Sequence, residues 1–163
     1  MLKKVLCLVG ALVLVSACDT TGSGSGDASG MGGANGSGKM GAAKPGTQED
    51  MVVNVGDRVF FSYNGADLSA EARATLDRQA AWLKKYASNN VTIEGHADER
   101  GTREYNLALG ERRATAVKNY LVADGIGASR VKTVSYGKER PAVLGSNEAA
   151  WAQNRRGVTV VGQ

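Results

Sequence analysis

Residues 91–121 read VTIEGHADERGTREYNLALGERRATAVKNYL, and the change of periodicity inside them decides the fold. Val91 to His96 alternates apolar and polar residues, the period of a half-buried strand. Asp98-Glu99-Arg100-Gly101-Thr102 is a polar loop. Tyr105, Leu109, Ala116, Val117, Tyr120 and Leu121 then recur on one side of a helix, which Asp124-Gly125 and Gly127 stop. Downstream, Val131 to Tyr136 predicts a third strand, Pro141 lies in a loop, Glu148 to Gln153 suits a helical turn, and Val158 to Val161 a last strand. Upstream, Val59-Phe60-Phe61-Ser62-Tyr63 is rich in β-formers and bounded by Asp57 and Asn64-Gly65. Ser69 is an N-cap followed by Glu71, and Leu76, Ala80, Leu83 and Ala87 keep helical spacing until Ser88-Asn89-Asn90. The order is β-α-β-α-β-(α)-β. Helices between successive strands predict an α/β sandwich, with helices packed on a sheet.

The chain around this domain has a different character. Glycine, at 22 of 163 residues, exceeds a usual share of roughly 7%, and most of the excess lies in residues 19–50. That stretch is Gly, Ser, Ala, Asp and Thr with little to bury besides Met31 and Met40. It is expected to be a disordered tether, with an r.m.s. span of about 30 Å. Ahead of it, Lys3 and Lys4 precede an apolar run from Val5 to Val15, too short for the roughly 20 residues a spanning helix needs. The run suits a signal peptide. It ends in Leu14-Val15-Ser16-Ala17-Cys18, which resembles the bacterial lipobox, with Val15 where Leu is more usual. That resemblance implies cleavage before Cys18 and a diacylglycerol plus an N-acyl chain on its thiol and amine. The expected division is therefore a signal peptide at 1–17, a lipidated Cys and tether at 18–50, and a folded domain at 51–163.

Charge and cysteine count exclude other classes. Of 20 basic and 16 acidic side chains, four of each precede residue 51. The remainder is mildly basic, with both signs interleaved, unlike the clustered basic face of nucleic-acid modules. Two cysteines and one histidine, His96, do not make a metal set. A Cys7–Cys18 disulfide is excluded once Cys7 leaves with the signal peptide. No cofactor is expected beyond the lipid.

The densest polar stretch, Gly95 to Asn106, lies where a strand hands over to a helix. Free N–H groups at the helix start, carboxylates and guanidinium groups meet there, and Asn106, Leu109 and Arg113 share a helix face. Such a set suits a small zwitterion better than a phosphate chain. Gly95-His96-Ala97-Asp98, Gly101, Tyr105-Asn106, Leu109-Gly110 and Arg112-Arg113-Ala114 resemble the OmpA-like peptidoglycan-binding signature, as does Asn154-Arg155-Arg156 before the last strand. With lipobox and tether, the whole chain resembles the peptidoglycan-associated lipoprotein family of the Tol–Pal system. The resemblance implies helices on a mixed four-stranded sheet. It implies Asp98 holding the ammonium of diaminopimelate in the stem peptide and Arg113 holding a carboxylate. Arg100, Asn106 and Leu109 match further ligand-contacting positions. Tyr63-Asn64 stands where many members have Phe-Asp, keeping an acceptor and losing a charge, and Ala97 stands where Thr is frequent. The implied partners are peptidoglycan, TolB and TolA, and the implied location is the periplasmic face of the outer membrane.

Other readings of these residues stay open at this level. Asp98 and Arg113 could form a structural ion pair. Glu99 and Glu104 could be the paired carboxylates of a glycan hydrolase, although no hydrolase motif, Ser–His–Asp or Cys–His arrangement accompanies them, so no enzyme is expected. An OmpA-like motor or secretion-system lipoprotein would carry the same domain. His96 reads as a strand-end residue, and Trp82 and Trp151 as core or surface anchors.

Overall fold

The computed structural model describes residues 43–162. Its elements are α1 (Gln48–Asp50), a π-helical turn (Met51–Val55), β1 (Arg58–Phe60), α2 (Ala70–Lys85), β2 (Val91–His96), α3 (Arg103–Ala123), a short 3-10 turn (Ala128–Arg130), β3 (Val131–Gly137), α4 (Glu148–Asn154) and β4 (Arg156–Val161). The strands form one sheet in the order β1-β4-β2-β3. β2 and β3 are parallel, and β4 is antiparallel to both its neighbours. This is a mixed α/β sandwich of the expected class.

Local chemistry sets the helix ends. The Ser69 hydroxyl accepts from Ala72 N at 3.1 Å, Thr102 from Tyr105 N at 3.2 Å, and the Asn147 side chain from Ala150 N at 3.0 Å. At the end of α3, Gly125 N donates to the Val122 carbonyl and Ile126 N to the Leu121 carbonyl, each at 3.0 Å. Gly125 there has φ +93°, a left-handed conformation that glycine adopts without steric cost. Ile126 folds back into the core behind it.

The core joins Leu76 and Leu83 of α2, Val91 and Ile93 of β2, Val117 and Leu121 of α3, Val59, Phe61 and Val131. Each such side chain contributes about 1.5–3 kcal/mol by leaving water. One glycine pair sets how closely α3 lies on β2. A β-carbon placed on Gly95 would stand 1.9 Å from the Gly110 carbonyl oxygen. Only two hydrogens let the helix backbone come this near the strand, and this contact carries the first turns of α3 over the end of β2.

The structure departs from the sequence reading in four places. β1 ends at Phe60 rather than Tyr63, because arginines take the backbone groups that would extend the ladder: Arg155 Nε binds the Phe61 carbonyl and Arg113 binds those of Ser62 and Gly65. The tether does not run to residue 50. Asp50 accepts from Trp82 Nε1 (2.9 Å), Asn54 (2.8 Å) and Gly46 N (2.8 Å), and the Gln48 side chain accepts from Val161 N at 2.7 Å. Residues 46–50 therefore belong to the folded domain. β4 begins at Arg156, two residues early. On α3 the buried face is Asn106, Leu109, Gly110, Arg113, Ala114, Val117 and Leu121, while Tyr105 is exposed and Ala116 and Tyr120 are half-buried. The polar Asn106 and Arg113 turn inward because buried carbonyls await them, as described next.

Candidate binding site at the end of β2

Asp98 stands two residues past the end of β2, and its side chain is 6% exposed. Arg100 gives it three hydrogen bonds: backbone N to Oδ1 (3.1 Å), Nε to Oδ1 (3.1 Å) and Nη2 to Oδ2 (2.6 Å). A second guanidinium, of Arg155, brings Nη1 to 3.5 Å from Oδ2. Arg155 is held from behind, with Nε on the Phe61 carbonyl (3.1 Å) and Nη2 on Glu148 (2.7 Å). Burial pushes the Asp98 carboxyl up, but the bonds from Arg100 and the nearby Arg155 outweigh it and hold the group below its usual 3.8. Asp98 is thus a buried, ionised carboxylate. The Arg100 guanidinium itself lies between two aromatic faces, 4.2 Å from the Tyr63 ring centre and 4.0 Å from that of Trp151.

The loop that carries these groups is fixed from within. Asn106 donates to the carbonyls of Arg100 (2.9 Å) and Thr102 (3.0 Å). Lys138 binds those of Gly101 (2.7 Å) and Glu99 (3.2 Å). The Tyr105 hydroxyl donates to Asn64 Oδ1, closing the first turn of α3 over the turn that follows β1. Asn64 sits there at φ 55°, a left-handed position that Asn tolerates better than most residues.

Tyr63, Asn64, Asp98, Arg100, Gly101, Tyr105, Asn106 and Leu109 line one cleft of about 230 Å³. Six of the seven expected binding residues are therefore brought together. The seventh, Arg113, lies elsewhere: it is fully buried and does not line the cleft. Its Nε binds the Gly65 carbonyl (2.8 Å), Nη1 that of His96 (2.8 Å) and Nη2 that of Ser62 (3.1 Å). Burial lowers its pKa to about 10, with the charge of Asp98 opposing that fall. The ion-pair partners of Asp98 are Arg100 and Arg155, not Arg113, so an Asp98–Arg113 pair is not formed. Cys18 lies outside the described residues.

Sequence reasoning gave no binding role to Arg155 or Tyr105, and read Trp151 only as a core or surface anchor. The run Asn154-Arg155-Arg156 was the available signal for Arg155. Its approach to Asp98 depends on β4 lying beside β2, which no local pattern encodes. His96 points away from the cleft chemistry: its ring is buried, neither nitrogen has a hydrogen-bond partner, and the nearest carboxylate, Glu94, is 3.6 Å away.

The domain that carries this cleft matches known proteins. The OmpA family model matches residues 60–155, a span that runs from the end of β1 to Arg155 and so contains every residue of the cleft. A peptidoglycan-associated lipoprotein of Rhizobium meliloti is 59% identical over 75% of this chain and 69% of its own length. One from Pseudomonas aeruginosa is 42% identical over 94% of this chain and 93% of its own. The crystal structure of the peptidoglycan-associated lipoprotein from Burkholderia pseudomallei superposes with a TM-score of 0.64 at 42% identity, covering 65% of this chain and 90% of that one. The C-terminal domain of Helicobacter pylori MotB shares the fold, with a TM-score of 0.61 at 17% identity. Matching in its sheet, its cleft-bearing span and its relatives, the chain belongs to the OmpA family.

Proposed function

We propose that this chain is a lipid-anchored envelope protein that binds peptidoglycan non-covalently and ties the outer membrane to the cell wall. The observation that carries the reading is the cleft itself: a buried ionised carboxylate flanked by guanidinium groups and backed by aromatic rings, in a chain whose relatives are named for association with peptidoglycan. The zwitterionic end of a diaminopimelate side chain fits that set. Its ammonium would sit on Asp98 and its carboxylate on guanidinium, with Tyr63, Asn64, Asn106 and Leu109 as walls. Arg113 would act from beneath. Its bonds to Ser62 and Gly65 hold the turn that carries Tyr63 and Asn64, and with the bond to His96 they leave two of its five N–H groups for a carboxylate that reaches the floor.

Binding without cleavage suits the same groups. A glycoside-cleaving acid needs a carboxyl whose pKa is raised. Glu99 is instead held low by hydrogen bonds from Ser146 and Trp151. The lipid on Cys18, TolB and TolA as partners, and the periplasmic face of the outer membrane complete the proposal. They rest on the lipobox-like segment and on the family resemblance.

Co-sedimentation of the mature protein with purified peptidoglycan sacculi tests it. Wild type should pellet, Asp98→Ala should bind at least about tenfold more weakly, one charge-assisted contact being worth about 1.5–3 kcal/mol, and no glycan or peptide fragments should appear in the supernatant. Released fragments would make the chain an enzyme. Failure of wild type to pellet would refute the binding role.

A further inference from the structure

The carboxylate that the proposed ligand needs is already occupied. Arg100 covers both oxygens of Asp98, as an incoming ammonium would. The two guanidinium groups on Asp98 differ in how they are held. Arg155 is tied to Phe61 and Glu148 and its side chain is 9% exposed. Arg100 is 30% exposed, has no backbone carbonyl to hold it, reaches Glu148 only at 3.8 Å against 2.7 Å for Arg155, and hangs from a loop followed by Gly101 at φ +93°. Arg155 also keeps a donor in reserve. Its Nη1 is buried without a hydrogen-bond partner while standing 3.5 Å from Asp98 Oδ2.

We propose that ligand binding is an exchange at Asp98: Arg100 is a built-in stand-in for the ligand ammonium and must swing aside, while Arg155 is the positioning residue that keeps Asp98 in place once Arg100 has left. Resting on the peptidoglycan reading, this deepens it into a specificity rule. A ligand bearing an ammonium alone must displace Arg100 and leaves that guanidinium only Glu148, which is exposed, 3.8 Å away and already bound by Arg155. A ligand bearing an ammonium and a neighbouring carboxylate offers Arg100 a new partner as it leaves, and the two ion pairs simply trade members. The aromatic faces of Tyr63 and Trp151 support Arg100 on either side of that short movement. The unpartnered Nη1 of Arg155 closes the gap to Oδ2, so the carboxylate is never left as a lone buried charge, a state that burial makes costly.

The test is calorimetry on the full-length lipidated protein in detergent with two probes. One is a stem tripeptide ending in meso-diaminopimelate. The other is the same peptide ending in lysine, which keeps the side-chain ammonium and lacks the carboxylate beside it. In wild type the lysine peptide should bind at least tenfold more weakly. Arg100→Gln should strengthen the lysine peptide several-fold while weakening the diaminopimelate peptide, so the gap narrows from both sides. Lysine-peptide affinity that falls or stays level in Arg100→Gln overturns the exchange. Arg155→Gln, checked by its melt, should lose at least tenfold for both probes and become pH-dependent between pH 7 and 4, since burial then raises the Asp98 carboxyl with one cation fewer. Unchanged affinity with a flat profile removes Arg155. Should Arg155→Gln not fold, Arg100→Gln over the same pH range decides: with Arg155 present its affinity for the lysine peptide stays flat above pH 5, and a decline there overturns the role of Arg155. Absence of any wild-type binding to the diaminopimelate peptide or to sacculi would instead refute the peptidoglycan reading itself.

Discussion

Arg113 holds three backbone carbonyls from inside the core, those of Gly65, His96 and Ser62. Its spacing from Asn106 and Leu109 put it on the right helix face, and its three carbonyl partners come from the turn after β1 and the end of β2, far away in the chain. A buried acceptor left unsatisfied costs about 1–3 kcal/mol. Arg113→Met should therefore destabilise the domain by at least about 3 kcal/mol, and Arg113→Lys should recover little, because one ammonium cannot span a planar fork of three acceptors. Thermal melts check this, and a wild-type melt for Arg113→Met would mean that the three bonds carry no net stability. His96 gives a prediction with a sign. Burial, then the charges of Arg156 and Arg140, depress its folded pKa to about 4 from 6.5. Between those values the unfolded chain takes up a proton that the folded one refuses. Stability is thus fully present above pH 6.5 and falls as pH drops toward 4, by up to about 3 kcal/mol. Urea midpoints measured across that window should decline in wild type and flatten in His96→Leu.

At the scale of elements, the glycines separate two kinds of constraint. Gly95→Ala would drive a β-carbon into the Gly110 carbonyl at 1.9 Å, backbone against backbone. The strand and helix cannot part without opening the core, so a loss above about 3 kcal/mol is expected, at the severe end for point changes. Gly125→Ala meets only the end of Lys84 at 3.9 Å, and its cost is the positive φ alone, about 1 kcal/mol. Denaturant titrations of both variants rank them, and equal losses would mean that α3 can lift off β2. This contrast also explains what the sequence could and could not tell. Ser69, Thr102, Asn147 and Gly125 act on neighbours three or four residues away, so helix positions and the site loop were legible. β1 stopping at Phe60, Gln48 meeting Val161, and Arg155 reaching Asp98 all depend on partners some 48 to 113 residues distant. Strand pairing decides those, and hydrophobic period alone does not encode it. The tether boundary was misplaced for the same reason: a segment of Gly, Thr, Gln and Asp looks unburied until Trp82 offers Asp50 an indole N–H.

On the scale of the whole molecule, binding and anchoring should be separable. Every residue of the cleft lies between Tyr63 and Leu109, and the arginines that organise it extend only to Arg155. The proposed lipid site is Cys18, and the 25 residues from there to Ala43 can span at most roughly 85 Å at about 3.4 Å each. On the proposed reading, that reach is what would let one molecule touch membrane and wall together, and the two functions would then be independent. Cys18→Ser should therefore lose labelled palmitate and leave the membrane fraction, yet bind stem peptide as tightly as wild type. Asp98→Ala should keep its lipid and its membrane while losing the wall. Cys7→Ser should change neither, since that residue would depart with the signal peptide. Lipid labelling that persists in Cys18→Ser would remove the anchor from this position. A peptide affinity that falls with it would show that the anchor contributes to the cleft. The leaflet is tested in the same fractions. Asp19 directly follows Cys18, and the resemblance to bacterial lipoproteins implies a conflict there, since in the enterobacterial ones Asp at that position tends to retain the protein at the inner membrane. Under the proposed role, joining wall to outer membrane, the protein must escape that rule, so wild type should band with outer membrane on a sucrose gradient. A band with inner membrane would leave the cleft intact and place its tether on the other side of the wall.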